Sequence, residues 1–247
     1  MKRHRALKVT LIAMTAVLIL LSGAIIFYAA DYYRAGDEAN ALLDDSPALV
    51  EIFRGGVAIG SPDADTGLIF YPGGKVEHTA YLPLLAQISE QGIFCVIVKM
   101  PLNLAVFDVN AANGIMKQYP SISSWFIGGH SLGGAMAASY ADKFREQIDG
   151  LVLLAAYATA DLADSGFPVL SIFGSEDGVL NREKLMESRS LMPPKYVEIE
   201  IVGGNHAQFG DYGVQAGDGQ ALISPAEQTE QTLAAIIDFI KNGGDPS

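Results

Sequence analysis

The chain has 247 residues, of which 16 are Lys or Arg and 28 are Asp or Glu, and its formal net charge is −12. A chain of this length can bury the core of one catalytic domain. Because the acidic balance leaves no basic stripe to neutralise phosphates, it argues against nucleic acid as a partner and disfavours strongly anionic polymers as substrates. The single cysteine, Cys95, cannot form an internal disulfide, and the apolar run around it predicts a buried strand.

The first 30 residues combine a basic tail with a long apolar segment. The basic residues are Lys2, Arg3, Arg5 and Lys8, and residues 9–30 are 22 positions without a charge. A signal-peptide core has about 7–15 apolar residues and a membrane span needs about 20, so the length favours an uncleaved signal anchor at residues 1–30. The basic end is then expected in the cytoplasm, with the remainder outside the membrane. The alternative is secretion after cleavage near residues 22–24.

The rest of the chain divides into a linker and a catalytic domain. Residues 31–48 are polar and alanine-rich and predict a stalk or a first helix, and residues 49–247 form the domain. In chain order, the predicted strands are 50–53 and 57–59, which form a hairpin, and then 67–71, 93–100, 124–128, 151–156, 168–173 and 196–202. The predicted helices are 79–90, 104–118, 132–144, 182–191 and 227–240.

This order of elements predicts an α/β fold. Continuous apolar strands that alternate with helices indicate a mostly parallel sheet with helices on both faces. The insertions between the elements are too short for a large lid domain, so any cap is expected to be minimal. The least regular stretch, residues 209–224, predicts a loop near whatever precedes it.

The segment Gly129-His130-Ser131-Leu132-Gly133 lies where a predicted strand passes into a predicted helix. In this G-x-S-x-G pattern a sharp turn exposes the serine hydroxyl above the sheet, and glycines flank it because the chain approaches itself too closely for a Cβ. The five-residue pattern is weak evidence alone, but the apolar residues before it and the small residues after it match such a turn. Ser131 is therefore the predicted nucleophile.

A serine nucleophile needs a base, and the base needs a carboxylate that orients it. Active sites of open parallel sheets lie at the carboxyl ends of the strands, and His206 follows the last predicted strand. We predict His206 as the base, whereas His130 should point away from Ser131 into supporting structure. Asp177 follows the preceding strand and is the predicted acid, with Glu176 as the second candidate.

The oxyanion formed during acyl transfer needs N–H donors. One is predicted to be the backbone N–H of Leu132, and the other to come from the turn at residues 71–75, with Gly74 favoured over Lys75. Lys75, Lys99 and Met100 stand at strand ends near the predicted site and are candidates for substrate binding. For the two lysines, a role as solvated loop residues or helix-cap partners is an equally good interpretation.

Five segments together resemble a bacterial group of α/β-hydrolases that is related to the dienelactone hydrolases and carries an N-terminal membrane segment. The segments are residues 71–76, 99–105, 129–134, 173–177 and 203–210. The resemblance covers most of residues 50–240 and implies the α/β-hydrolase fold, an eight-stranded, mainly parallel sheet and a triad of Ser131, Asp177 and His206 in that chain order. Dienelactone hydrolases have a nucleophilic cysteine where this chain has Ser131, so a dienelactone substrate is not implied.

The combined prediction is a serine hydrolase anchored in a bacterial cell membrane by a single span. A carboxylesterase acting on small or short-acyl esters through an acyl-enzyme is favoured, with no need for a metal or an organic cofactor. Two alternatives stay open. The same triad serves thioesterases, amidases and peptidases, and a catalytically silent hydrolase fold is able to act as a surface-binding protein. The sequence leaves the acyl group, the leaving group and the oligomeric state undefined.

Overall fold

The structure, a computed structural model, describes residues 2–45 and 50–243. It divides the chain into two units, Met1–Tyr32 and Tyr33–Ser247. The first unit consists mainly of helix α1 (Lys2–Ala30). Within α1, Thr10–Tyr28 is long and apolar enough to cross a membrane, a test that a signal sequence also passes.

The second unit is built on one sheet of eight strands. The strands are β1 (Val50–Phe53), β2 (Gly56–Ile59), β3 (Thr66–Tyr71), β4 (Phe94–Val98), β5 (Ser124–His130), β6 (Gly150–Leu154), β7 (Val169–Gly174) and β8 (Tyr196–Ile201). Their order across the sheet is β1-β2-β4-β3-β5-β6-β7-β8. The first two pairings, β1 with β2 and β2 with β4, are antiparallel, and the other five are parallel. The predicted sheet is confirmed.

Six helices of the described chain belong to this unit: α2 (Asp37–Asp45), α3 (Leu82–Ser89), α4 (Ala112–Gln118), α5 (Leu132–Lys143), α6 (Arg182–Ser188) and α7 (Pro225–Lys241). Two apolar clusters show how they cover the sheet. One cluster joins α2, α3 and α7 to one face, and the other joins α4 and α5 to the opposite face. Cys95 lies in β4 with no exposed surface. Helices thus cover both faces, as the alternating pattern predicts.

The helix predicted over residues 104–118 is interrupted in the structure. A short 3₁₀ turn, Ala105–Phe107, ends at Asp108, whose φ of −150° and ψ of 64° are not helical, and α4 begins only at Ala112. The Tyr71 hydroxyl holds the break open, because it accepts a hydrogen bond from Ala112 N (3.0 Å) and donates one to Val109 O (2.8 Å). This contact joins segments about 40 residues apart, so local periodicity does not reveal it.

Part of the predicted linker, residues 31–48, packs within the second unit. Tyr33 forms an isolated parallel bridge with Val76, and α2 brings Ala39 into the core with no exposed surface. Asp211 caps α2, since its Oδ2 accepts a hydrogen bond from Ala39 N (2.9 Å). Residues 46–48 of the linker lie outside the described residues.

Candidate active site

Unusual backbone geometry is concentrated at the carboxyl ends of the central strands. In the described chain, the non-glycine residues with positive φ are Lys75, Leu102, Asn103, Ser131 and Ala155, with φ between 46° and 60°. They follow β3, β4, β5 and β6, four neighbouring strands of the sheet. Such conformations cost about 1–3 kcal/mol each and persist where the surrounding structure imposes them. We therefore expect the functional site at this carboxyl edge of the sheet.

Ser131 occupies a sharp turn between β5 and α5. Its φ of 53° and ψ of −123° are imposed by the helix that begins at the next residue. Ser131 N donates to Leu154 O (2.9 Å), and Ser131 O accepts from Ala135 N (3.1 Å), so the backbone is held on both sides. The geometry is that of the strand–turn–helix elbow that the G-x-S-x-G pattern predicts.

The glycines of the pattern allow the chain to cross itself. A Cβ at Gly133 would overlap the carbonyl oxygens of Tyr71 and Pro72, and a Cβ at Gly129 would lie 2.6 Å from Tyr71 O and from the carbonyl carbon of Gly133. Neither site has room for a side chain, because these neighbours are backbone atoms that cannot rotate away. The close contact places the first turn of α5 against the end of β3.

Asp177 and His206 form a buried hydrogen-bonded pair. Their side chains are 0% and 1% exposed, and His206 Nδ1 lies 2.8 Å from Asp177 Oδ2. The other carboxylate oxygen of Asp177 accepts from Val179 N (2.8 Å) and Leu180 N (2.7 Å), which fixes the plane of the carboxylate. Because this carboxylate is an acceptor, Nδ1 carries the ring proton of neutral His206 and Nε2 is left as an acceptor.

The second candidate for the acid has a different partner. Glu176 Oε1 accepts a hydrogen bond from the adjacent Ser175 hydroxyl (2.9 Å).

Among the described residues, no hydrogen bond joins Ser131 to His206, and His206 Nε2 is buried without a partner. Hydrogen bonds between a nucleophile and its base are often long before substrate binds and tighten in the complex.

The turn after β3 lies beside the start of α5. A Cβ placed at Gly74 would lie 2.9 Å from Leu132 Cδ2 and 3.7 Å from Leu104 Cδ2. Gly73 N donates to the Tyr81 hydroxyl (3.0 Å) and Lys75 N donates to Asn103 O (2.8 Å), so both of these amides are occupied.

In the part of the chain that the structure describes, two other amides near the elbow, those of Gly74 and Leu132, are not paired in this way. Gly74 N has no acceptor within the described chain. The N–H of Leu132, the first residue of α5, has no intrahelical acceptor either, as at the start of any helix.

Sequence reasoning missed the partner of His130. The Tyr81 hydroxyl accepts from Gly73 N, and in the described chain its other hydrogen-bond partner is His130 Nδ1, 2.8 Å away, so its proton is directed to that nitrogen. The His130 ring is fully buried, with its centroid 4.5 Å from that of His206. Burial, and to a smaller extent repulsion from the protonated form of His206, lower the pKa of His130 well below its usual value, which keeps the ring neutral. In the sequence, Tyr81 is one of several apolar or aromatic residues in the predicted helix 79–90 and carries no distinguishing signal.

The proposed substrate-binding residues occupy different environments. Met100 is buried in the apolar core, at 4% exposure. Lys99 is exposed, and its charge acts on His78. Exposed apolar side chains instead lie just beyond, at Leu102, Val106 and Phe107, in the segment that follows β4 and contacts α5.

The candidate site is distinct from a cavity of about 650 Å³ between the His206 loop, α3 and α7. Ala80, Ala207 and Phe209 are among the residues that line this cavity, and Ser131, Gly74 and His206 are not. Over residues 2–45 and 50–243, no group of three or more His, Cys, Asp or Glu side chains is arranged to hold a metal ion.

Comparisons with solved structures show the same fold at low identity. Est1E from Butyrivibrio proteoclasticus is 14% identical, with a TM-score of 0.58 over 79% of this chain and 98% of its own. The carboxylesterase CesB (YbfK) from Bacillus subtilis is 14% identical, with a TM-score of 0.58 over 87% of this chain and 98% of its own. The naproxen esterase of Bacillus subtilis is 14% identical, with a TM-score of 0.57 over 79% of this chain and 94% of its own.

A comparison with curated proteins gives no match. The model of the alpha/beta hydrolase family matches residues 67–230, which run from β3 through the elbow and both loops of the buried Asp–His pair into α7. With that match, an eight-stranded sheet in the expected order and a serine at the strand–helix elbow, the chain belongs to the alpha/beta hydrolase family.

Proposed function

We propose that the protein is a serine hydrolase, and specifically a carboxylesterase that acts on small or short-acyl esters. Ser131 attacks the ester carbonyl while His206 Nε2 takes its proton. The protonated imidazole then passes this proton to the leaving alcohol, and Asp177 stabilises the imidazolium. Water enters, gives a proton to His206 and attacks the acyl-enzyme, which releases the acid and returns the proton to Ser131.

The observation that carries the proposal is the buried Asp177–His206 pair, whose histidine ring packs against that of His130, directly before a serine held in the elbow conformation. The tautomer set by Asp177 leaves Nε2 as the acceptor that the reaction requires. The amides of Gly74 and Leu132 are the proposed oxyanion donors, because Gly74 lies beside the Leu132 side chain while the neighbouring amides of Gly73 and Lys75 are already used. Each such donor is worth about 3 kcal/mol in the transition state.

The preference for an ester with an apolar acyl or alkyl group rests on the side chains near the elbow. Leu102, Val106 and Phe107 expose apolar surface in the segment after β4, and Leu104 and Leu132 flank Gly74. Two of the proteins with similar folds are named as carboxylesterases, which supports an ester as the substrate class. A relation to the dienelactone hydrolases is part of the proposal, with Ser131 in place of their cysteine.

The proposed location is a bacterial cell membrane, with α1 as a single-pass anchor and the catalytic domain outside the cytoplasm. The supporting observations are the uncharged stretch Thr10–Tyr28 within α1 and the basic residues at the start of this helix. Secretion after removal of α1 is the alternative.

One labelling experiment tests the nucleophile and the location together. Cells that produce the protein are fractionated and treated with a fluorophosphonate probe, which reacts with activated serines. We expect a labelled band of full-chain mass in the membrane fraction. Ser131→Ala should abolish the label and lower the turnover of p-nitrophenyl acetate by about 10⁴-fold or more.

A matched control is available on the same helix. Ser139 lies in α5, and its hydroxyl donates only to Ala135 O (3.0 Å) in the described chain, so Ser139→Ala should keep both label and turnover. Label that survives in Ser131→Ala would rule out Ser131 as the nucleophile. A labelled band that is shorter and soluble would show that the N-terminal segment is a cleaved signal and not an anchor.

In a p-nitrophenyl acyl series from C2 to C16, fastest turnover at the long end would overturn the short-acyl preference.

A further inference from the structure

We propose that Asp218 is a positioning residue that clamps the Asp177 loop to the His206 loop. The proposal rests on the proposed function, since it concerns the geometry of the same acid–base pair. Asp218 lies in the irregular segment after the 3₁₀ turn Ala207–Phe209, in a part of the chain to which the sequence assigned no role.

The carboxylate of Asp218 accepts four backbone hydrogen bonds. Its Oδ1 accepts from Gly178 N (3.1 Å), His206 N (3.2 Å) and Gly219 N (2.8 Å). Its Oδ2 accepts from Ala207 N (2.8 Å). Three of the four donors belong to the two loops that carry the acid and the base.

These donors are adjacent to the reacting groups in the chain. Gly178 directly follows Asp177, and the amide of His206 belongs to the base itself. One carboxylate therefore fixes the backbone at both ends of the Asp177–His206 hydrogen bond. The segment that carries Asp218 lies directly on the acid loop, because a Cβ at Gly178 would lie 2.6 Å from Gly217 O and 2.8 Å from Gly219 N.

The arrangement requires a carboxylate rather than a polar group of similar size. Its two ionised oxygens accept four N–H bonds between them, three at Oδ1 and one at Oδ2. An asparagine would keep the volume, but in either orientation its NH₂ group would face at least one N–H donor and leave it unpaired.

The same two loops are also joined by Glu176 N to Gly204 O (2.8 Å) and by Gly203 N to the Ser175 hydroxyl (2.7 Å). Asp218→Asn should therefore loosen the acid–base geometry without separating the loops.

Asp211 provides a matched control from the same segment. Its Oδ2 also accepts a backbone hydrogen bond, from Ala39 N (2.9 Å), but that amide begins α2 and not a catalytic loop. Asp211→Asn makes the same exchange of a carboxylate for an amide at a half-buried position, and no hydrogen bond joins Asp211 to Asp177 or His206 in the described chain. It measures what this exchange does to stability away from the acid–base pair.

The experiment compares the full-length wild type, Asp218→Asn and Asp211→Asn in detergent. In Asp218→Asn, kcat for p-nitrophenyl acetate should fall about 10- to 100-fold with KM changed less than about 2-fold, because a small misplacement of catalytic groups acts on the chemical step. The downfield proton resonance of the His206 Nδ1–H bonded to Asp177 should broaden or shift. Asp211→Asn should keep both the kcat and the resonance of the wild type, whatever its melting temperature.

Equal kcat and an unchanged His206 resonance in folded Asp218→Asn would overturn the clamp. The resonance does not depend on turnover, so a wild type without esterase activity would contradict the proposed function and still leave the clamp measurable. Hydrogen exchange in the wild type adds a test that needs no variant. The amides of His206 and Ala207 should exchange slowly, and fast exchange of both would overturn the clamp even if Asp218→Asn failed to fold.

Discussion

At the scale of single residues, the Tyr81 hydroxyl joins two parts of the candidate site that the chain keeps far apart. It accepts from the turn that precedes Gly74 and donates to His130, whose ring lies against that of His206. The tautomer of His130 follows from this chain of contacts, since a hydroxyl that already accepts from Gly73 N has its proton available for Nδ1. One phenol thus orders the turn beside the elbow and the packing of the proposed base.

We predict that Tyr81→Phe lowers kcat for ester hydrolysis by about 10-fold or more, since the turn that carries the proposed Gly74 donor loses an anchor. His130→Asn should retain more activity than His130→Leu, because the asparagine oxygen takes the position of Nδ1. Tyr140→Phe is the control, since this buried hydroxyl bonds to Asn113 Oδ1 (2.8 Å), away from Tyr81. Steady-state kinetics would contradict the prediction if the two Tyr→Phe variants behaved alike.

The predicted triad residues and the residues that support them differ in how clearly the sequence marks them. Ser131, Asp177 and His206 were predicted because each lies in the turn or loop after a strand and their chemistry constrains their chain order. Their catalytic roles stay predictions, although the structure brings Asp177 and His206 together. Tyr81 and Asp218 left no local signal. Each acts through backbone groups that are distant in the chain, and a tyrosine in an apolar run or an aspartate in a loop is ordinary.

At the scale of secondary-structure elements, the crossing of α5 over the end of β3 sets the position of the elbow. Gly133 lies so close to Tyr71 O and Pro72 O that a methyl group would displace one element from the other. The pattern of glycines predicted a close approach of the chain to itself at the elbow, and the structure shows that the end of β3 is the neighbour. The break in the predicted helix 104–118 was not predicted, because its cause is the Tyr71 hydroxyl of a neighbouring strand.

Two Gly→Ala substitutions should therefore have opposite effects on stability. Gly133→Ala must push backbone against backbone, so we expect a large loss of melting temperature or no folded protein. Gly114 lies in α4, and a methyl group added there would meet nothing within 4 Å, so Gly114→Ala should gain about 0.5–1 kcal/mol, which is about 1–4 °C in melting temperature. Thermal unfolding followed by circular dichroism measures both. Equal melting temperatures for the two variants would contradict the account of the crossing.

At the scale of the whole molecule, the alternating pattern of strands and helices predicted the layers and the mostly parallel sheet. It did not predict that residues 33–45 pack within the same unit, because that contact depends on a bridge from Tyr33 to Val76 and on the cap that Asp211 supplies to α2. The strands are long, apolar and periodic, whereas these contacts are single polar bonds between distant segments.

The stability of the whole fold should depend on pH through the half-buried side chain of His78. Burial and the charge of Lys99 lower the pKa of His78 from 6.5 to about 4. Between these values the unfolded chain binds a proton at His78 that the folded chain does not bind, so stability falls as pH decreases from about 6.5 to 4. His78→Asn should flatten this decline in melting temperature by several degrees. The same decline in both proteins would contradict the assignment.

The buried thiol of Cys95 gives the molecule a built-in reporter of its own opening. It is the chain's single cysteine, it has no exposed surface within β4, and burial raises its pKa far above the usual value. The thiolate needed for alkylation forms only when the strands around it separate. The rate at which the unaltered protein reacts with a thiol reagent therefore measures how often the sheet opens around β4.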